Sequence, residues 1–126
     1  MGRGQIVGRV VCVAAFGTLS GAGPASAAQT LSVSKPAKRE CIERPLQGPG
    51  IARESVSVPG TSWVSARLEA GAGDWDLALF DSSGRAVATS AYRGGSELAE
   101  GFAVAGSPLT AQACRRSGGD RTARFS

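Results

Sequence analysis

The chain has 126 residues, with 14 Lys and Arg against 10 Asp and Glu, and no histidine. The missing imidazole excludes Ser-His-Asp and Cys-His catalytic arrangements and any zinc site built with histidine. The basic residues neither cluster on a helix nor alternate with aromatics, which argues against nucleic-acid binding.

The first 27 residues read as a secretory leader. Arg3 and Arg9 supply the positive start, and Val10 to Leu19 is an apolar run too short to span a bilayer. Gly21 to Pro24 breaks that run, and Ala25-Ser26-Ala27 is a small-x-small cleavage site. Cleavage removes Cys12 and leaves about 99 residues with a net charge of about +2, enough for one small domain without a stable membrane anchor. The two remaining cysteines, Cys41 and Cys114, cannot make a structural zinc site and are expected to form one disulfide in an oxidising compartment. Closing a loop of about 73 residues is worth on the order of 4 kcal/mol in the chain-entropy model.

Residues 28–40 are polar and read as a flexible lead-in, with the β-domain expected over 41–126. The period becomes two from Ile51. Residues 51–58 form one predicted strand, and Pro59-Gly60 a turn. Ser62 to Glu69 forms the next, with Val64, Ala66 and Leu68 on one face and Trp63, Ser65, Arg67 and Glu69 on the other. In Asp74 to Asp81, Trp75, Leu77 and Leu79 share one face while Ala78 and Phe80 share the other, as in a central strand covered on both sides.

Asp81-Ser82-Ser83-Gly84 is a turn by composition, so Arg85 to Ser90 is expected to return as a hairpin. Glu97 to Val104 is read as a strand with a bulge at Gly101; its Leu98 and Phe102, four apart, also suit a single helical turn. Leu109, Ala111 and Ala113 share one strand face, and Cys114 points the other way. Arg115-Arg116 reads as a solvated loop. A last short strand runs from Arg121 to Ser126. Short strands with turn signals at this spacing indicate an all-β antiparallel sandwich or small jelly roll.

Candidate chemistry is sparse. Asp74 and Asp76 fall on one strand face about 7 Å apart, and Asp81 and Asp120 fall at turns. Asp74, Asp76 and Asp81 are therefore weighed as calcium ligands, against ordinary turn roles and a pairing of Asp76 with Arg67 or Arg85. A Ser-Lys nucleophile pair would need Lys35 or Lys38 in the lead-in. Trp63 lies opposite its strand's apolar face and is the candidate for surface binding, including a carbohydrate platform. No catalytic residue and no cofactor is expected.

A group of residues carries a family resemblance: Asp74-Trp75-Asp76-Leu77, Phe80-Asp81, Gly84-Arg85, Ser90, Glu97 to Phe102, and Gln112 to Arg115. Together with Cys41 they resemble the non-catalytic N-terminal β-sandwich region of secreted bacterial zinc carboxypeptidases. That region is similar in turn to pre-peptidase C-terminal domains. The resemblance spans residues 41–126. It implies a peptidase catalytic domain in cis carrying a His-x-x-Glu zinc motif, which this chain lacks. The expectation is a secreted accessory module, cut short at its C-terminus, without a catalytic domain. The alternative is a free-standing secreted module that binds cell-wall glycan or protein.

Overall fold

A computed structural model describes residues 28–37, 41–118 and 121–126. The leader over 1–27 with Cys12, the basic residues Lys38 and Arg39, and Asp120 lie outside the described residues.

The described chain forms eight strands: β1 (Gln29–Ser32), β2 (Ile51–Val56), β3 (Ser62–Glu69), β4 (Asp74–Phe80), β5 (Ala86–Ser90), β6 (Ser96–Ala103), β7 (Leu109–Ser117) and β8 (Thr122–Phe125). They build two four-stranded antiparallel sheets. The front sheet has the order β1-β8-β3-β6, and the back sheet β2-β7-β4-β5. First strand pairs with last, second with seventh, third with sixth and fourth with fifth. A chain folded in half at the β4–β5 turn and then rolled into two layers has this order, which is that of a jelly roll.

The turn that folds the chain in half is built as its sequence indicates. Gly84 sits at φ 82°, where a side chain would be strained. Its N–H donates to the Asp81 carbonyl at 3.0 Å, and the Asp81 N–H donates to the Arg85 carbonyl at 2.9 Å. The Asp81 carboxylate accepts from the Ser83 N–H and the Arg85 N–H, both at 3.0 Å, and from the Ser83 hydroxyl at 2.6 Å. A side chain that bonds its own turn in this way holds the hairpin register.

The core lies between the sheets. Trp75, Leu77 and Leu79 of β4 and Ala111 and Ala113 of β7 meet Ala66, Leu68, Ala99, Leu31, Ala123 and Phe125 of the front sheet. The large residues of β4 face a mixture of large (Leu31, Leu68, Phe125) and small (Ala66, Ala99, Ala123) residues on the front sheet. Fully burying each large apolar side chain contributes about 1.5–3 kcal/mol. The inner face of β6 is Glu97, Ala99, Gly101 and Ala103, so its bulkier Leu98 and Phe102 face outward.

Gly101 explains part of that inversion and corrects an expectation. The register runs unbroken through the Val64↔Gly101 pair, so no bulge is present there. A Cβ at this position would lie 2.8 Å from the Val87 carbonyl oxygen and 3.2 Å from the Ala88 Cβ. Glycine is needed because β5 of the back sheet comes against β6 of the front.

The lead-in expectation is also corrected. Gln29 to Ser32 pairs with β8 at all four positions, and Leu31 and Val33 are buried in the core. The Val33 N–H donates to Arg121 O at 2.8 Å and the Ala37 N–H to Arg115 O at 2.7 Å. The folded unit therefore includes residues well before Cys41. The predicted 51–58 strand ends at Val56, and Val58 packs beyond it with Ala103 and Leu109.

The outer face of the back sheet is covered by the segment from Cys41 to Gly50. The Cys41–Cys114 disulfide, with a Cα–Cα distance of 6.1 Å, pins one end of it. The side chain of the fully buried Gln112 holds the middle. Its Oε1 accepts from the Leu46 N–H at 2.7 Å, and its Nε2 donates to Cys41 O at 2.7 Å and Arg44 O at 3.1 Å. Ala78 and Phe80 are buried beneath this cover, which makes β4 apolar on both faces.

Arg115 and Arg116 do not form a solvated loop, since both belong to β7. Arg115 is buried and donates to Gly118 O at 2.8 Å. Arg116 lies 3.7 Å from Asp76, which replaces the expected pairing with Arg67 or Arg85. Those two arginines instead approach Glu69 and Asp81, each at 3.5 Å.

A candidate binding face on the front sheet

No described segment crosses the outer face of the front sheet. Alternation along β3 sends Val64, Ala66 and Leu68 inward and leaves Trp63 64% exposed. Directly across on β6 is Phe102, 61% exposed. Opposed residues on antiparallel strands hold their Cβ atoms about 4.5–5.5 Å apart, so the two rings are immediate neighbours. Val104, just past the end of β6, is exposed as well.

The face changes character along the strands. After the aromatic pair comes Ser65 opposite Glu100, then Arg67 opposite Leu98, then Glu69 opposite Ser96. At that far end Arg67, Glu69, Ser96, Glu97 and Leu98 line a shallow hollow of about 140 Å³. Trp63 is thus an exposed ring on an open face, whereas Trp75 has no solvent exposure and belongs to the core. Phe102 was not identified from sequence as its companion, because the β3–β6 register joins positions 39 residues apart.

The three aspartates weighed as calcium ligands are engaged separately. Asp74 Oδ1 accepts from the Gly94 N–H at 2.9 Å. Asp76 meets Arg116, and Asp81 closes its own turn. The Ser83 hydroxyl bond, followed by the Arg85 N–H bond, holds the Asp81 carboxyl below its ordinary value. Among the described residues no three His, Cys, Asp or Glu side chains gather into a group that could hold a metal ion.

Glu97 is an acid that sequence reasoning passed over. Its residue is only 2% exposed, on the inner face of β6. The Ser90 hydroxyl of β5 donates to Oε2, as does the Tyr92 N–H at 3.3 Å. The other oxygen, Oε1, is buried with no hydrogen-bond partner among the described residues. Burial pushes the Glu97 carboxyl above its usual range. The Ser90 and Tyr92 hydrogen bonds oppose the shift, and repulsion from Asp74 adds to it. The group ties one sheet to the other, and sequence carries no signal for this because the link depends on β5 meeting β6.

A larger groove of about 630 Å³ lies between Lys35–Ala37 and Leu46–Ile51. No described helix is long and apolar enough to cross a membrane.

The fold and face together define an all-β jelly-roll domain with an open aromatic surface. In comparisons with known proteins, no family model, curated protein or solved structure matches this chain.

Proposed function

We propose that the chain is a secreted, non-catalytic β-sandwich module that works by binding, with the outer face of the front sheet as its contact surface. The side-by-side exposure of Trp63 and Phe102 carries this reading. Aromatic rings bring large contact area at low conformational cost, and adjacent exposed apolar groups mark interaction surfaces. Export is supported by the leader pattern over residues 1–27 and by the Cys41–Cys114 disulfide, a bond that persists in oxidising compartments. The non-catalytic part is supported by the lack of histidine and by the structural engagement of Asp74, Asp76 and Asp81.

The accessory form of this reading joins the module to a peptidase catalytic domain and follows from the resemblance to zinc carboxypeptidases. There the open face would hold material for an attached enzyme. Reading the coding sequence past Ser126 tests that form: a frame with a His-x-x-Glu motif supports it, and a stop with no such remnant removes it. The binding reading is tested by sedimenting the full chain with isolated envelopes of the producing cells. Retention should fall on Trp63→Ala and Phe102→Ala, and equal retention of all three proteins would refute it.

A further inference from the structure

We propose that the ligand of this face is a neutral glycan chain lying along β3 and β6, with sugar faces on Trp63 and Phe102. This rests on the binding reading of the same face and narrows its partner. Four features of the face point to this ligand.

The first is the aromatic pair. The C–H faces of pyranose rings are flat and apolar, while their rims carry hydroxyls. A ring lying on Trp63 or Phe102 buries its apolar face and keeps its hydroxyls free to bond sideways. The second is what stands beside the rings. Ser65 and Glu100 come next, and Arg67, Glu69 and Ser96 follow. A serine hydroxyl both donates and accepts, a carboxylate accepts and a guanidinium donates. Sugar hydroxyls, which do both, can use all three.

The third feature is charge. The exposed ionic side chains on this face are Arg67 and Arg124 against Glu69 and Glu100, which balance. A polyanion needs an excess of cationic contacts, and this face has none to offer. The fourth is shape. Six residue steps from Trp63 to Glu69 cover about 20 Å at the usual strand rise, long enough for several linked sugars. The track ends in the hollow of about 140 Å³. Protein partners usually anchor in deep, well-desolvated pockets, whereas the hollow found among the described residues of this face is the small one at its end. A stable self-association needs about 800 Å² per partner. Here Trp63, Phe102 and Val104 gather at one end of the face, and at the other Leu98 stands alone among Ser65, Glu100, Arg67 and Glu69.

The test uses the full chain and its Trp63→Ala, Phe102→Ala and Arg67→Ala variants. Circular dichroism and mass spectrometry of the unreduced proteins establish that each is folded and bridged. Retention is measured on cellulose, chitin, mannan and starch, all neutral, and on alginate, which is anionic. The expected result is retention on at least one neutral polymer. It should be weakened tenfold or more by either aromatic substitution and several-fold by Arg67→Ala, should survive 0.5 M salt, and should exceed retention on alginate.

Lack of Trp63-dependent retention on all four neutral polymers overturns the glycan assignment. If Trp63-dependent envelope sedimentation persists in that case, the binding reading stands with a protein partner. Salt-sensitive preference for alginate also overturns the assignment. Trp63-dependent self-association in sedimentation velocity, without glycan retention, would make a second copy the occupant. If Trp63→Ala changes nothing in any of these assays, both the glycan assignment and the binding reading fail.

Discussion

Replacing Gln112 with Leu should cost about 3 kcal/mol or more, because one side chain holds the segment that covers the back sheet. Three hydrogen bonds disappear: from the Leu46 N–H, and to the carbonyls of Cys41 and Arg44. At a net worth of about 1 kcal/mol each, their loss gives about 3 kcal/mol. The cost rises if the released groups stay buried, since each unsatisfied group costs about 1–3 kcal/mol. The disulfide keeps them there, because Cys41 is bridged to Cys114, only two residues along β7 from Gln112. For a domain of this size each kcal/mol moves Tm by roughly 4–8 °C, so a fall of about 12 °C or more is expected.

The same reasoning predicts coupling. In a Cys41→Ser/Cys114→Ser background the segment can lift and its polar groups can reach water. Gln112→Leu should then cost only the net worth of its three bonds, about 3 kcal/mol, while in the bridged protein the groups left buried add to that cost. The background itself loses about 4 kcal/mol through its open loop of 73 residues. Thermal and urea unfolding of the four proteins, in sulfate to keep the weakest folded, completes the cycle. A Tm fall below about 4 °C in the bridged protein, or the same cost in both backgrounds, would refute the reasoning.

Glu97 should give stability an unusual pH slope. Its folded carboxyl is raised above the ordinary value, so the folded state holds the proton more tightly than the unfolded state. Its contribution is fully present below the ordinary carboxylate value and is lost as pH rises through the raised folded value. Glu97→Gln should flatten urea midpoints between pH 4 and pH 8, and an unchanged slope would place its origin elsewhere. Gly101→Ala should destabilise by about 1–3 kcal/mol, since the added methyl would meet the Val87 carbonyl oxygen at 2.8 Å. Neutral stability of that variant in thermal unfolding would show that β5 moves away freely.

Much of the fold was legible where a local pattern met a local cause. Two-residue alternation placed Val64, Ala66 and Leu68 inward. Apolar residues on both sides of β4 marked an interior strand, and the Asp81–Gly84 turn carried its own hydrogen-bond chemistry. Ala111 and Ala113 join the main core, while Cys114 sits apart with Cys41 and Ala37 on the other face.

What was not legible depends on contacts between residues distant in the chain. β1 has four residues, of which only Leu31 is buried, so its sequence looks like polar coil. Its partner β8 lies at the opposite end of the chain, where Gln29 meets Phe125. Gly101 resembles a bulge glycine until β5 is placed against it. Of the candidate face, Trp63 was visible through alternation alone. Phe102 was not, because only the β3–β6 register sets the two rings side by side.

The two tryptophans offer the most direct test of the binding face, since Trp63 is 64% exposed and Trp75 is fully buried. Acrylamide should quench one accessible and one protected emission component in the free chain. Saturation with the neutral polysaccharide that retains the chain best should shield the accessible component, and Trp63→Ala should abolish it. Unchanged quenching of Trp63 at saturation would contradict the account, because the ligand would then lie somewhere other than on the β3–β6 face.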